Sequence, residues 1–172
     1  WTTNILYVEE INQKLKSNMD QTIKEIQKGL NVMKFDVVVG NPPYQEAGVK
    51  EGARDEPVYH EFIKLTYEIS DKSVLITPGR FLFNAGQTPK SWNEKMLADE
   101  HLKVVHYEQD SSKIFPNTDI KGGIVVTYHD KNKIFGAIDT FTPFEELNSI
   151  LLKVESFDGI SLTSIVFGTS NY

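Results

Sequence analysis

The chain has 172 residues, is 40% hydrophobic and 24% charged, carries a formal net charge of −6, and contains no cysteine. This is enough for one α/β domain with a real core, and it excludes a disulfide framework, a thiolate metal site and a Cys nucleophile. No long apolar run or signal-peptide pattern points to a membrane, a reducing cytoplasm fits, and the acidic balance argues against the whole chain gripping phosphates.

The first residue is Trp1, and the sequence stops at Gly168-Thr169-Ser170-Asn171-Tyr172, so both ends read as cut from something larger. Residues 3–30 read as one helix: Ile11, Leu15, Met19, Ile23, Ile26 and Leu30 recur at spacings of three and four, with Gly29 as the stop. Phe35-Asp36-Val37-Val38-Val39-Gly40 is short, continuous and β-branched, the pattern of a buried strand. Residues 45–57 are polar, hold Gly48, Gly52 and Pro57, and read as a mobile loop. Helix returns over 58–70. Val74-Leu75-Ile76 is a second strand, ended by Thr77-Pro78-Gly79. A short helix over 89–98 starts at Pro89, with Trp92 in its core face. Strands follow at 104–107 and 124–128, joined by residues 109–121 without a helical pattern. That connection predicts an antiparallel last pair, because a parallel crossover usually contains a helix. Residues 141–155 show helical spacing again. Alternating strands and helices predict a mostly parallel sheet with helices on both faces.

The residues after the first strand carry the chemistry. Asn41-Pro42-Pro43-Tyr44 is rigid, because each Pro fixes its own φ and pushes the preceding residue out of the α region. Asn41 is therefore held extended at the strand's end, with the carbonyl of Pro42 fixed nearby. Two acceptors beside the ring of Tyr44 suit a planar ring bearing an exocyclic –NH2 group. Ligands in open α/β sheets bind beyond the carboxyl ends of the strands. The tetrad and Thr77-Pro78-Gly79-Arg80-Phe81 both fall there. The four histidines, His60, His101, His106 and His129, lack metal-like spacing, and no metal is expected.

The tetrad after a strand resembles the catalytic motif of the adenine-N6 DNA methyltransferases. Ser73 to Asn84 is similar to that family's next strand and loop, and Lys113 to Gly123 to the loop that supplies a second aromatic, here Phe115. The stretch from Phe35 to Leu152 resembles the methylase part of type II restriction-modification enzymes, a bacterial-type, cytoplasmic setting. The resemblance implies a partial Rossmann-like methyltransferase sheet, S-adenosylmethionine as donor, and double-stranded DNA as partner through the intact parent. It implies that Asn41 and Pro42 accept the amino hydrogens of a flipped adenine, within a tetrad completed by Pro43 and Tyr44. Tyr44 then stacks on the base and Phe115 packs against another side of it. Arg80 and Lys121 are candidate DNA contacts.

One departure is large. No Gly-x-Gly occurs in the chain, and no strand ends in an acidic residue suited to a ribose. The cofactor-binding residues are thus expected to be mostly missing. The division implied is a leading helical segment (1–34), a catalytic half (35–140), and a helix and linker (141–172) toward a missing recognition domain. The isolated chain is expected to be inactive. The tetrad alone equally suits a protein Gln amide or an RNA guanine amine as acceptor, and the isolated chain equally suits a purely structural or partner-binding role.

Overall fold

The computed structural model describes residues 4–48 and 55–155; Trp1, Gly52 and the C-terminal Gly168–Tyr172 read above lie outside them. Within these bounds the chain forms α1 (Ile11–Ser17), α2 (Met19–Leu30), β1 (Phe35–Gly40), β2 (Gln45–Glu46), β3 (Glu56–Pro57), α3 (Tyr59–Ile69), β4 (Ser70–Pro78), α4 (Lys90–Leu97), β5 (Leu102–Glu108), β6 (Ile124–Asp130) and α5 (Glu145–Glu155). Short 3-10 turns occupy Arg80–Phe83 and Ser111–Lys113. α5 belongs to a separate compact unit that begins at Thr142.

The expected single helix over 3–30 is two helices. Asn18 leaves helical geometry (φ −156°, ψ 83°), and its side chain accepts the backbone N–H of Gln21 at 3.0 Å, so it ends α1 and caps α2. Gly29 does not stop α2, which runs on to Leu30 and closes at Asn31 in left-handed geometry. Gly29 serves packing instead: a Cβ there would sit 2.6 Å from a methyl of Leu6.

Four strands make one mixed sheet in the order β1-β4-β6-β5. β1 pairs parallel with β4, from Phe35↔Ser70 to Gly40↔Leu75, and α3 supplies the crossover. β6 pairs antiparallel with β4 on one side and with β5 on the other. The antiparallel last strand matches expectation. The mostly parallel sheet does not, because β6 returns between β4 and β5. β1, β4 and β5 still point the same way, so their C-terminal ends share one edge of the sheet.

Helices cover one sheet face. α3 contributes to both apolar clusters: Tyr59 and Ile63 join Leu75, Phe81, Trp92, Met96, Leu102 and Val125, whereas Leu65 and Ile69 join Leu15 and Ile26. Full burial of each such side chain contributes about 1.5–3 kcal/mol. The other face differs from the expected helices on both sides. There Val74, Ile76 and Val126 stay partly exposed, and Val37 and Val39 are 48% and 74% exposed. β1, expected to be buried, is thus an edge strand with one bare face among the described residues.

The polar stretch 45–57 is a hairpin at its base, where Gln45 pairs with Pro57 and Glu46 with Glu56. Lys16 of α1 bonds both Glu46 and Glu56, tying the hairpin to the N-terminal helices.

Candidate active site

Three segments meet at the common C-terminal edge of β1, β4 and β5. The first is the tetrad. Asn41 is exposed, and its side chain makes no hydrogen bond to a described residue, so its amide is uncommitted. Tyr44 is held by its backbone, whose carbonyl accepts the N–H of Val58 at 3.1 Å. Its phenol oxygen is buried without a partner among the described residues, and burial pushes its pKa up to about 12. Tyr44 therefore presents a neutral aromatic ring.

The second segment follows β4, where Gly79 leads into the Arg80–Phe83 turn. Phe81 is fully buried against Trp92, with ring centroids 5.4 Å apart, which anchors the turn. Trp92 is the core residue its helix position predicts. A polar chain orders the next loop: buried Thr88 donates to buried Asn93 Oδ1 at 2.7 Å, and Asn93 donates to Oδ1 of the exposed Asn84 at 3.2 Å.

The third segment carries Phe115 between β5 and β6. Ser111, 3% exposed, is its hub. The Ser111 hydroxyl donates to the Thr118 carbonyl at 3.2 Å and accepts the Ile120 N–H at 2.8 Å. Thr118 Oγ1 lies 2.7 Å from the Phe115 carbonyl. Asp119, in the same loop, pairs with Lys121 at 2.6 Å.

The aromatic rings of Tyr44 and Phe115 meet edge-on, with centroids 6.4 Å apart and planes at 67°. Residues 71 positions apart in sequence thus form one aromatic corner. Beside it lies a cavity of about 300 Å³ lined by Tyr44, Gln45, Tyr59, Arg80, Gln87 and Lys121 among others. Tyr59 is neutral there, its pKa pushed up to about 12 mainly by burial. The cavity gathers Tyr44, Arg80 and Lys121. Asn41, Pro42, Pro43 and Phe115 do not line it; they flank Tyr44 by sequence or by ring contact.

Sequence reasoning missed Ser111, Thr118, Tyr59, Gln87 and Thr88. Ser111 sits in Asp110-Ser111-Ser112, which reads as an ordinary turn, and indeed Asp110 caps the N–H of Ser112 at 3.1 Å. Gly122-Gly123 was the legible signal: both adopt positive φ, +84° and +69°, which brings the chain back tightly under the loop.

Contrary to expectation, a strand at this edge does end in an acidic residue: β5 closes on Glu108, whose carboxylate accepts the Asp110 N–H at 2.9 Å and pairs with Lys113 at 3.2 Å. β1 runs into the Pro-rich tetrad and β5 into a 3-10 turn. A Cβ at Gly79, after β4, would lie 2.8 Å from the carbonyl oxygen of Gly122, so backbone already fills that space. Among the described residues no group of His, Asp and Glu could hold a metal, and no helix is long and apolar enough to cross a membrane.

Residues 1–115 match the Eco57I restriction-modification methylase family, a span that includes the tetrad, Arg80 and Phe115 but not Lys121. Over 110 residues, 62% of the chain, the sequence is 28% identical to an uncharacterised adenine-specific methylase of Mycoplasma pneumoniae. The matched region covers 26% of that protein, so the chain spans about a quarter of its relative's length. No solved structure matches the chain.

Proposed function

We propose, on the premise that the chain belongs to the Eco57I restriction-modification methylase family, that it forms the acceptor side of a site-specific DNA methyltransferase acting on the N6 amino group of a flipped adenine. The observation that carries this reading is the aromatic corner of Tyr44 and Phe115 beside the uncommitted amide of Asn41, all at one edge of the sheet. Asn41 Oδ1 and the Pro42 carbonyl accept the two amino hydrogens. Fixed acceptors at a nitrogen that becomes positive follow the logic of an oxyanion hole with reversed polarity. Tyr44 stacks on the base, and Pro43 keeps the ring and the acceptors in one rigid unit.

S-adenosylmethionine is the donor implied, supplying an electrophilic sulfonium methyl. Donor binding is assigned to a remaining half of the methyltransferase, in the same or a partner chain, because the sequence offers no Gly-x-Gly turn. The bare sheet face and open edge of β1 support that assignment. A recognition domain, also elsewhere, would supply most of the phosphate contacts that an acidic chain lacks.

The test is methyl transfer by the intact protein to duplex DNA, RNA and protein acceptors, with Asn41→Ala alongside. DNA adenine methylation that falls on the order of a hundredfold in the variant, by analogy with loss of one oxyanion-hole donor, supports the reading. Transfer to RNA guanine or protein Gln replaces it with the corresponding acceptor. Wild-type turnover by Asn41→Ala removes the acceptor role altogether.

A further inference from the structure

One side chain ties the second and third segments together. The Arg80 stem passes Gly122 and Gly86 so closely that a Cβ at 122 would sit 2.5 Å from Arg80 Cγ and one at 86 would sit 3.2 Å from Cδ. Arg80 Nε donates to the Lys121 carbonyl at 2.6 Å, which fixes the guanidinium plane and holds the return of the Phe115 loop.

The charge on that guanidinium is unanswered. Lys121 is neutralised by Asp119 at 2.6 Å, whereas Arg80 has no carboxylate within salt-bridge distance among the described residues. This holds in a chain with 24 acidic and 18 basic residues. With Nε committed to a carbonyl, the two terminal nitrogens keep four N–H donors in a planar fork, the geometry that takes a phosphate through two parallel hydrogen bonds. Arg80 also lines the cavity that Tyr44 walls.

We propose that Arg80 clamps one phosphodiester group of the DNA strand beside the acceptor base, and that through its Nε it also locks the Phe115 loop, so that phosphate capture and ordering of the aromatic corner are linked. The inference rests on the acceptor-site reading above. It separates the two basic candidates: Arg80 is a phosphate contact, and Lys121 contributes its backbone carbonyl.

The experiment measures the salt dependence of duplex binding by the intact protein, and the fluorescence of 2-aminopurine placed opposite an abasic site, where extrusion is cheap. Arg80→Met should reduce the slope of log K against log salt by about 1, the share of one phosphate, and should lower the fluorescence gain. Arg80→Lys keeps the charge but cannot hold the carbonyl and fork a phosphate together. It should restore the slope and not the fluorescence. A wild-type slope in Arg80→Met overturns the clamp, and a wild-type fluorescence gain in Arg80→Lys overturns the lock. Absence of any fluorescence gain in the wild-type protein sinks the acceptor-site reading, and the lock with it, while the slope still decides the clamp.

Discussion

Ser111→Ala isolates the device that holds Phe115. The substitution deletes an acceptor for the Ile120 N–H (2.8 Å), a donor to the Thr118 carbonyl (3.2 Å) and a partner for Thr118 Oγ1 (3.2 Å). Thr118 Oγ1 keeps its bond to the Phe115 carbonyl, so the main orphan is the half-buried Ile120 N–H. An unsatisfied buried group costs about 1–3 kcal/mol. Taking roughly 2 kcal/mol, and tenfold per 1.4 kcal/mol, the Ile120 amide should exchange with solvent about 30-fold faster. Thr118→Val is the control. It removes a hydroxyl of comparable size but orphans no backbone N–H, and should accelerate the same amide by only a few-fold, the net worth of roughly 1 kcal/mol or less for an ordinary hydrogen bond. Hydrogen exchange followed by NMR resolves both. Equal acceleration in the two variants, or none in Ser111→Ala, would show that the loop is held by its glycine return and not by the serine.

Tyr44→Ala and Phe115→Ala should each weaken capture of an extruded base by roughly 1–3 kcal/mol, the range for base–aromatic stacking, read from 2-aminopurine fluorescence; wild-type signal in both would dismiss the corner as the base clamp. Acidification should destabilise the fold between about pH 6.5 and the lower folded-state values of two histidines. Burial lowers the pKa of His60 and of His129, the latter stacked on Tyr67 at 3.8 Å and facing Asp99, His101, Asp130 and Lys131. Near the ordinary histidine value of 6.5 the unfolded chain takes up protons that the folded chain refuses, so stability is full above that pH and falls below it. The urea midpoint should drop from about pH 7.5 to 5.5, less so in His129→Phe, and a midpoint that rises on acidification would contradict the sign. Val39→Lys should change the stability of the 172-residue chain by no more than about 0.5 kcal/mol, the range for an exposed site; a loss of several kcal/mol in denaturant titration would mean that this face is covered.

Most strands and helices were legible because their periodicity is local. The tetrad's chemistry was legible because two prolines fix a backbone whatever surrounds it. What the sequence hid depends on partners distant in the chain. Asn18 looks like any polar position inside a helical pattern until its side chain turns back to cap Gln21. Gly29 looks like a terminator until Leu6 arrives beside it. Ser111 acquires its role from Thr118 and Ile120, with no pattern linking them. β6 enters the sheet between β4 and β5, and no periodicity specifies which neighbours a strand selects. Burial of β1 was misread for the same reason: a β-branched run records what covers a strand in its complete setting, and in these residues one face is uncovered.

That uncovered face also bears on the division of labour in the site. Along β1 the side chains alternate, so Val38 reaches the helix-covered face while Val37 and Val39 point to the other. An exposed strand face normally carries polar residues at those positions, and β1 also leaves its outer backbone edge unpaired. Isolated exposed valines need no explanation, but here they adjoin Val74, Ile76 and Val126 on the neighbouring strands. An apolar face continuous with an open edge is what an added strand and its helices would complete. The edge in question belongs to the strand that ends in the tetrad. A strand added there would adjoin the start of the tetrad, because Asn41 and Pro42 follow β1 directly. Under the proposed function, the base then reaches the tetrad from the corner of Tyr44 and Phe115, and the methyl group from the half proposed to cover β1.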